Sequence, residues 1–209
     1  MKVAVTGSSG LIGSALIPRL EAAGHSVLRL VRGPAAPEPS VPGTPEAIRW
    51  DPQSGVLDAG LLAGVSAAVH LAGEGIAEKR WTPAQKQRIL ASRVESTRLL
   101  AAKLAELEPT PKVLVSGSAV GFYGDRGDEV LTEESSGGTG FLADLVAQWE
   151  AATRAAELAG IRVVHIRTGI VLSPAGGALK RQLPLFKVGL GGRLGSGRQY
   201  QSWISIADE

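Results

Sequence analysis

Apolar residues along the chain fall alternately into short runs and longer helical stripes. Residues 3–6 form a short apolar and β-branched run that enters Gly7-Ser8-Ser9-Gly10, after which Leu11, Ile12, Ala15, Leu16 and Leu20 recur at helical spacing until Gly24 stops them. That order predicts strand, turn, helix. A second strand is expected over residues 27–31, and the stretch 33–45, rich in Pro, Gly and Ala, reads as a surface loop. A short strand over 47–50, a helical turn over 57–62 and a buried strand over the apolar run 67–72 come next. Thr82-Pro83 reads as an N-cap followed by proline at the first helical position. From there Ile89, Leu90, Val94, Thr97, Leu100, Ala101 and Leu104 carry one long helix toward Pro109. Residues 113–115 are a fifth strand, 141–158 a helix closed by Gly160, and 161–166 a sixth strand. Six strands with intervening helices specify an α/β fold built on a doubly wound parallel sheet.

From Thr168 onward the pattern loosens around Pro174, Gly176-Gly177, Pro184 and the glycine-rich run 189–197. The expected division is a nucleotide-binding domain over 1–167 and the start of a substrate lobe over 168–209. The chain stops at Asp208-Glu209 directly after the apolar stretch 203–206, so a longer parent protein is expected and the lobe is read as incomplete.

A chain of 209 residues, 44% hydrophobic and 20% charged, excludes disorder as the default state. Its 22 basic and 20 acidic residues leave a net charge of +2, so no bulk field attracts nucleic acid or membrane. Aromatic residues make up 4% and do not interleave with the basic ones, which removes the platform for base stacking. With no cysteine there is no disulfide, thiolate zinc site or catalytic thiol, and a reducing cytoplasm is the expected compartment. No apolar run approaches the roughly 20 residues needed to span a bilayer. The charge is nonetheless uneven: residues 158–207 hold seven basic side chains and no acid.

The spacing Gly7-x-x-Gly10-x-x-Gly13, between a predicted strand and a predicted helix, is what a phosphate-binding turn requires. Glycine allows the sharp turn, the approach of a pyrophosphate to the backbone and the close packing of helix on sheet. The anion then meets exposed N–H groups and the positive end of the helix. Gly7, Ser8, Gly10, Leu11, Ile12 and Gly13 are therefore expected to bind a dinucleotide in a Rossmann-like domain. The second strand ends at Arg32, with no acid before Glu38. An acid there would accept from a ribose 2′-hydroxyl, whereas a base neutralises a 2′-phosphate, so NADP is expected over NAD. Asp51, Leu71, Ala72 and Gly73 follow strand ends and are expected on the same cofactor.

The opening Val-Thr-Gly-Ser-Ser-Gly-Leu-Ile-Gly, His70-Leu71-Ala72-Gly73-Glu74, Arg80-Trp81-Thr82, Ser92-Arg93-Val94 with Thr97, the stretch from Ser116 to Gly124, and Gly189 to Trp203 together resemble the extended short-chain dehydrogenase/reductase superfamily. The chain is most similar to its NAD-dependent epimerase/dehydratase-like branch of bacterial sugar-nucleotide epimerase homologues. That resemblance implies a nicotinamide cofactor. The superfamily's acid/base, a Tyr-x-x-x-Lys pair on a helix, is absent: Tyr123 is followed four residues on by Gly127, Tyr200 by Ile204, and residues 141–146 hold neither tyrosine nor lysine. By the resemblance Ser118 matches a serine that hydrogen-bonds substrate, and Tyr123 stands as a substitute acid. Arg93, near a family asparagine that orders the site, is expected on the cofactor, and Glu74 and Lys86 are expected to face the substrate. Histidine commonly occupies the family position of Ser205.

Other chemistries lack their residues. The three histidines, His25, His70 and His165, are scattered, so no metal is expected. Neither a Gly-x-Ser-x-Gly elbow nor a Gly-x-x-x-x-Gly-Lys-Ser/Thr loop occurs. Two classes stay open: an NADP-dependent oxidoreductase or epimerase acting on a small, phosphorylated or nucleotide-linked carbonyl or hydroxyl compound, or a non-catalytic NADP-binding regulator that has lost the pair. Arg193 and Arg198, flanked by glycines, are expected to contact an anionic group of the substrate. A small-molecule substrate is the expected partner, and a homodimer is left open.

Overall fold

In the computed structural model, residues 1–33, 46–77, 79–193 and 195–209 are described. Most of the predicted loop 33–45, with Glu38, lies outside them. The elements run β1 (Lys2–Thr6), α1 (Leu11–Ala22), β2 (Ser26–Val31), β3 (Glu46–Arg49), β4 (Val65–His70), α2 (Pro83–Ala105), β5 (Val113–Ala119), α3 (Phe141–Ala151), α4 (Arg154–Leu158), β6 (Arg162–Thr168), β7 (Ile170–Leu172), α5 (Gly177–Lys187) and β8 (Trp203–Ser205). Six strands form one sheet in the order β3-β2-β1-β4-β5-β6. Thr6 pairs with Leu30 on one side and His70 on the other, and His70 pairs with Ser116, so β1 and β4 end level while β2 continues to Val31 and β5 to Ala119.

The period-2 alternation of β1 explains why both faces of this sheet are covered. Ala4 joins Leu28, Leu30, Trp50, Ala68, Leu100, Leu104, Leu114 and Ala156 in one core, to which α2 and α4 contribute. Val3 and Val5 point the other way, toward Val27, Ala67 and Ile17 of α1. Parallel strands buried on both faces need such runs of Val, Leu and Ala.

The residues group into two compact units, Met1–Gly117 with Gln148–Ile166, and Ser118–Ala147 with Arg167–Glu209. The second unit thus draws in Ser118–Ala147 as well as the C-terminal residues, where a single cut after residue 167 was expected. It contains a two-stranded parallel sheet of β7 and β8, with Ile170 opposite Trp203 and Leu172 opposite Ser205. These elements and α5 correct the expectation of a loosely patterned tail. The strands are three residues long and Pro184 lies inside α5, so neither the strands nor the helix is plainly marked in the sequence.

Three further corrections are local. The strand expected over 67–72 runs from Val65 to His70, because Gly64 turns the chain at φ +75° and the Thr6 hydroxyl takes the N–H groups of Leu71 and Ala72. The helix expected over 141–158 breaks between α3 and α4, where the Thr153 hydroxyl donates back to the Glu150 carbonyl at 2.7 Å and lies 3.1 Å from His165 Nε2. The turn expected over 57–62 is a 3-10 turn at Ala59–Leu62, opened by Asp58, whose carboxylate accepts from the Gly60 N–H at 2.8 Å.

Among the described residues no helix is long and apolar enough to cross a membrane, and no group of three acidic or histidine side chains could hold a metal ion.

Candidate functional site

The glycine turn follows β1 directly. Gly7 sits at φ +67°, a region side chains disfavour, and a Cβ there would lie 2.6 Å from the carbonyl carbon of Leu71. The Gly10 N–H donates to the Gly7 carbonyl at 2.9 Å, and Gly10 is the N-cap of α1 with no side chain closing the helix end. A Cβ at Gly13 would strike the Gly7 carbonyl oxygen and come within 2.9 Å of the Ser8 Cα. Ser8 is buried in the turn, and Leu11 and Ile12 are half-buried in the first turn of α1. The result is a helix start whose N–H groups lack a side-chain cap, over backbone stripped of Cβ atoms, which is the geometry a pyrophosphate needs. The residues present therefore fit a dinucleotide.

Behind the turn lies a fully buried polar relay. Thr6 Oγ1 accepts from the Leu71 N–H at 3.1 Å and the Ala72 N–H at 3.2 Å, so its own proton goes to His70 Nδ1, 2.7 Å away. His70 is then the Nε2–H tautomer, donating to Ser96 Oγ at 3.2 Å, and Ser96 in turn donates to the Ser92 carbonyl at 2.7 Å. Burial pushes the His70 pKa down to about 4, which keeps the imidazole neutral. The relay ties β1, β4 and α2 together at the carboxyl end of the sheet.

Beyond His70, Leu71 and Ala72 are half-buried and Gly73 is exposed. The Arg93 guanidinium carbon lies 3.2 Å from where a Gly73 Cβ would stand. Arg93 Nη1 donates to the Glu74 carbonyl at 3.0 Å and to the Ile89 carbonyl at 3.3 Å, and the guanidinium sits 5.2 Å from the centroid of Trp149. Burial lowers the Arg93 pKa while the charge of Glu74 opposes the shift. Trp149 is buried, and its Nε1 has no hydrogen-bond partner among the described residues.

Glu74 is held at three points. Its N–H donates to Ser92 Oγ at 3.0 Å, its carbonyl accepts from Arg93, and its Oε1 accepts from Gln85 Nε2 at 3.2 Å, with Lys79 Nζ at 3.7 Å. Gln85 is buried, and its Oε1 accepts from Arg88 Nε at 3.1 Å. Lys86 is half-buried on α2 beside it.

Arg32 is exposed just past the end of β2. Asp51 is half-buried and engaged in its own turn: its backbone bridges Val56, and hydrogen bonds from the Ser54 side chain and the Gln53 N–H hold its carboxyl below the usual range.

The second unit holds the remaining candidates. Ser118 is buried near the end of β5. Tyr123, also buried, ends a 3-10 turn at Val120–Tyr123, and its hydroxyl oxygen accepts from Arg167 Nη1 at 2.9 Å. The Arg167 guanidinium stacks 3.6 Å from the centroid of Phe122 and 5.2 Å from that of Tyr123. Arg193 and Arg198 are exposed outside helix and strand, and a Cβ at Gly197 would lie 2.5 Å from Arg193 Cδ.

Of the sequence-predicted residues, the structure brings together Gly7, Ser8, Gly10, Leu11, Ile12 and Gly13 with Leu71, Ala72, Gly73, Glu74 and Arg93. Thr6, His70, Gln85, Ser92, Ser96, Trp149 and Arg167 were missed as parts of a site. The α2 residues had a signal: positions 85, 88, 92, 93 and 96 share one helical face, and polar residues on it interrupt the stripe that carries Ile89.

The model of the NAD dependent epimerase/dehydratase family matches residues 3–208. Epimerase family protein Mb2239 of Mycobacterium bovis is 52% identical over 207 residues, which is 99% of this chain and 66% of that protein. The chain spans about two thirds of the length of the curated relatives it matches. The crystal structure of a nucleoside-diphosphate sugar epimerase from Corynebacterium glutamicum superposes with a TM-score of 0.83 at 44% identity, over 99% of this chain and 41% of that one. Human epimerase family protein SDR39U1 (isoform 2), solved with NADPH, superposes with a TM-score of 0.82 at 36% identity, over 99% of this chain and 66% of that one.

Proposed function

Because the chain belongs to the NAD dependent epimerase/dehydratase family, we propose that it carries the cofactor domain of an NADP-dependent oxidoreductase or epimerase acting on a nucleoside-diphosphate sugar. The single observation that carries the reading is the glycine turn backed against the exit of β4, with Gly7 and Gly13 at positions where any side chain would collide with backbone. Gly7, Ser8 and Gly10 to Gly13 hold the pyrophosphate on the α1 N-terminus, and Leu71 to Gly73 with Arg93 line the cofactor's path. Arg32 pairs with the 2′-phosphate, in keeping with the NADPH of the human relative. When bound, the nicotinamide supplies a hydride acceptor or donor.

The chain's own residues must then move the proton. Tyr123 accepts a hydrogen bond from Arg167, so its hydroxyl proton points elsewhere and can be given to a substrate oxygen. Ser118 supplies a second hydroxyl, Glu74 and Lys86 engage the substrate, and Arg193 and Arg198 neutralise its phosphates. Residence in the cytoplasm fits a chain without cysteine.

A second reading, an NADP-binding regulator without catalysis, is favoured by one observation: α3 offers neither tyrosine nor lysine. Calorimetric titration tests the cofactor assignment. NADPH should bind roughly ten-fold more tightly than NADH, and Arg32→Ala should erase most of that gap; equal affinities in the wild type would refute NADP preference. Nicotinamide reduction on mixing NADP-loaded protein with nucleoside-diphosphate sugars, abolished by Tyr123→Phe, separates enzyme from regulator.

A further inference from the structure

Glu74 stands out among the loop residues of the first unit because every part of it except one oxygen is already held. Its N–H, carbonyl and Oε1 each meet a side chain of α2, whereas Oε2 has no hydrogen-bond partner among the described residues. The side chain is 26% exposed, so that oxygen can meet a ligand. Gln85, which fixes the carboxylate, is 1% exposed and lies at a position where an apolar residue would cost less to bury. Both ends of its amide are engaged, by Arg88 on one side and Glu74 on the other, so its rotation is locked. Glu74 lies three positions after Leu71, whose backbone abuts the Gly7 turn. An extended chain spans at most roughly 10 Å over three positions, so Glu74 stands no farther than that from the backbone abutting the turn.

We propose that Glu74 is a hydroxyl-recognising carboxylate, accepting a hydrogen bond from a sugar-ring hydroxyl through Oε2, and that Gln85 is its positioning residue. The proposal rests on the reading that a nicotinamide dinucleotide lies on the glycine turn. A carboxylate suits this task because it is acceptor-only and a sugar diol is rich in donors. Two molecules could present the hydroxyl: the ribose beside the nicotinamide, or the sugar of the substrate.

The test titrates the purified protein with NADPH, with 2′-phospho-ADP, which lacks the nicotinamide half, and, after NADP saturation, with UDP-glucose. Glu74→Ala should weaken one of these ligands roughly ten-fold, the size expected for a hydrogen bond to a charged group. A loss on NADPH with 2′-phospho-ADP unchanged identifies the ribose; a loss on UDP-glucose with NADPH unchanged identifies the substrate sugar. No Glu74-dependent loss on either NADPH or UDP-glucose overturns the proposal. Failure of the wild type to bind NADPH overturns instead the functional reading beneath it. Gln85→Ala should reproduce the loss, and the Glu74→Ala, Gln85→Ala pair should bind no worse than Glu74→Ala alone; additive losses would show that Gln85 acts structurally. Gln85→Leu, which fills the volume, supplies the same comparison should the alanine variant not fold.

Discussion

Glycines 10 and 13 look equivalent in the motif, yet their surroundings separate them. Gly10 has an ordinary φ of −76°, and a Cβ there meets only the Gly7 carbonyl oxygen at 3.2 Å. Gly13 has backbone of both Gly7 and Ser8 inside contact distance, so any side chain pushes α1 off the turn. Gly10→Ala should therefore keep nearly wild-type stability, while Gly13→Ala should lose about 1–3 kcal/mol through overpacking. Urea unfolding of the two variants checks this, and equal losses would contradict it. The three-glycine spacing was legible in the sequence. Which of the two glycines is required by helix packing was not, because that depends on atoms from the turn folding back over α1.

At the scale of elements, α2 shows how a local signal reaches a distant residue. Thr82 Oγ1 accepts from the Gln85 N–H at 3.2 Å, closing the start of a 23-residue helix that carries every α2 partner of Glu74. Thr82→Ala should cost about 1 kcal/mol, with Thr82→Ser recovering most of it. Chemical denaturation measures the loss. A drop in ligand affinity alongside it would follow from a looser Gln85. The cap and the proline after it could be read directly from Thr82-Pro83, because a cap is a contact across three residues. The break between α3 and α4 could not, since it depends on Thr153 meeting its own preceding turn and His165 of a neighbouring strand.

The His70 relay acts on the stability of the whole first unit. In the unfolded chain the imidazole titrates near 6.5, and in the folded protein burial pushes its pKa to about 4. Between those values the unfolded state binds more protons, so stability is complete above pH 6.5 and falls as the pH drops toward 4, by up to roughly 3 kcal/mol. Urea unfolding across this range should show the decline in the wild type. A His70→Gln variant, lower in stability at neutral pH, should lack that component, so the gap between the two proteins should close on acidification. A gap independent of pH would mean that His70 is not buried neutral.

Sequence alone determined the alternation of strands and helices, the glycine turn, the α2 cap and the family. Each of these is written in residues near one another: a period of 2 or 3.6, a glycine where a turn demands it, a threonine before a proline. Tertiary structure decided where β4 ends, that His70 is locked between Thr6 and Ser96, that Glu74 meets Gln85, Ser92 and Arg93, and that Arg167 donates to Tyr123. Those pairs join residues as many as 64 positions apart, and a polar side chain carries no record of its partner until the strand order brings the two together. Burial then selects among the contacts, because a polar group removed from water must find a partner where the fold has placed one.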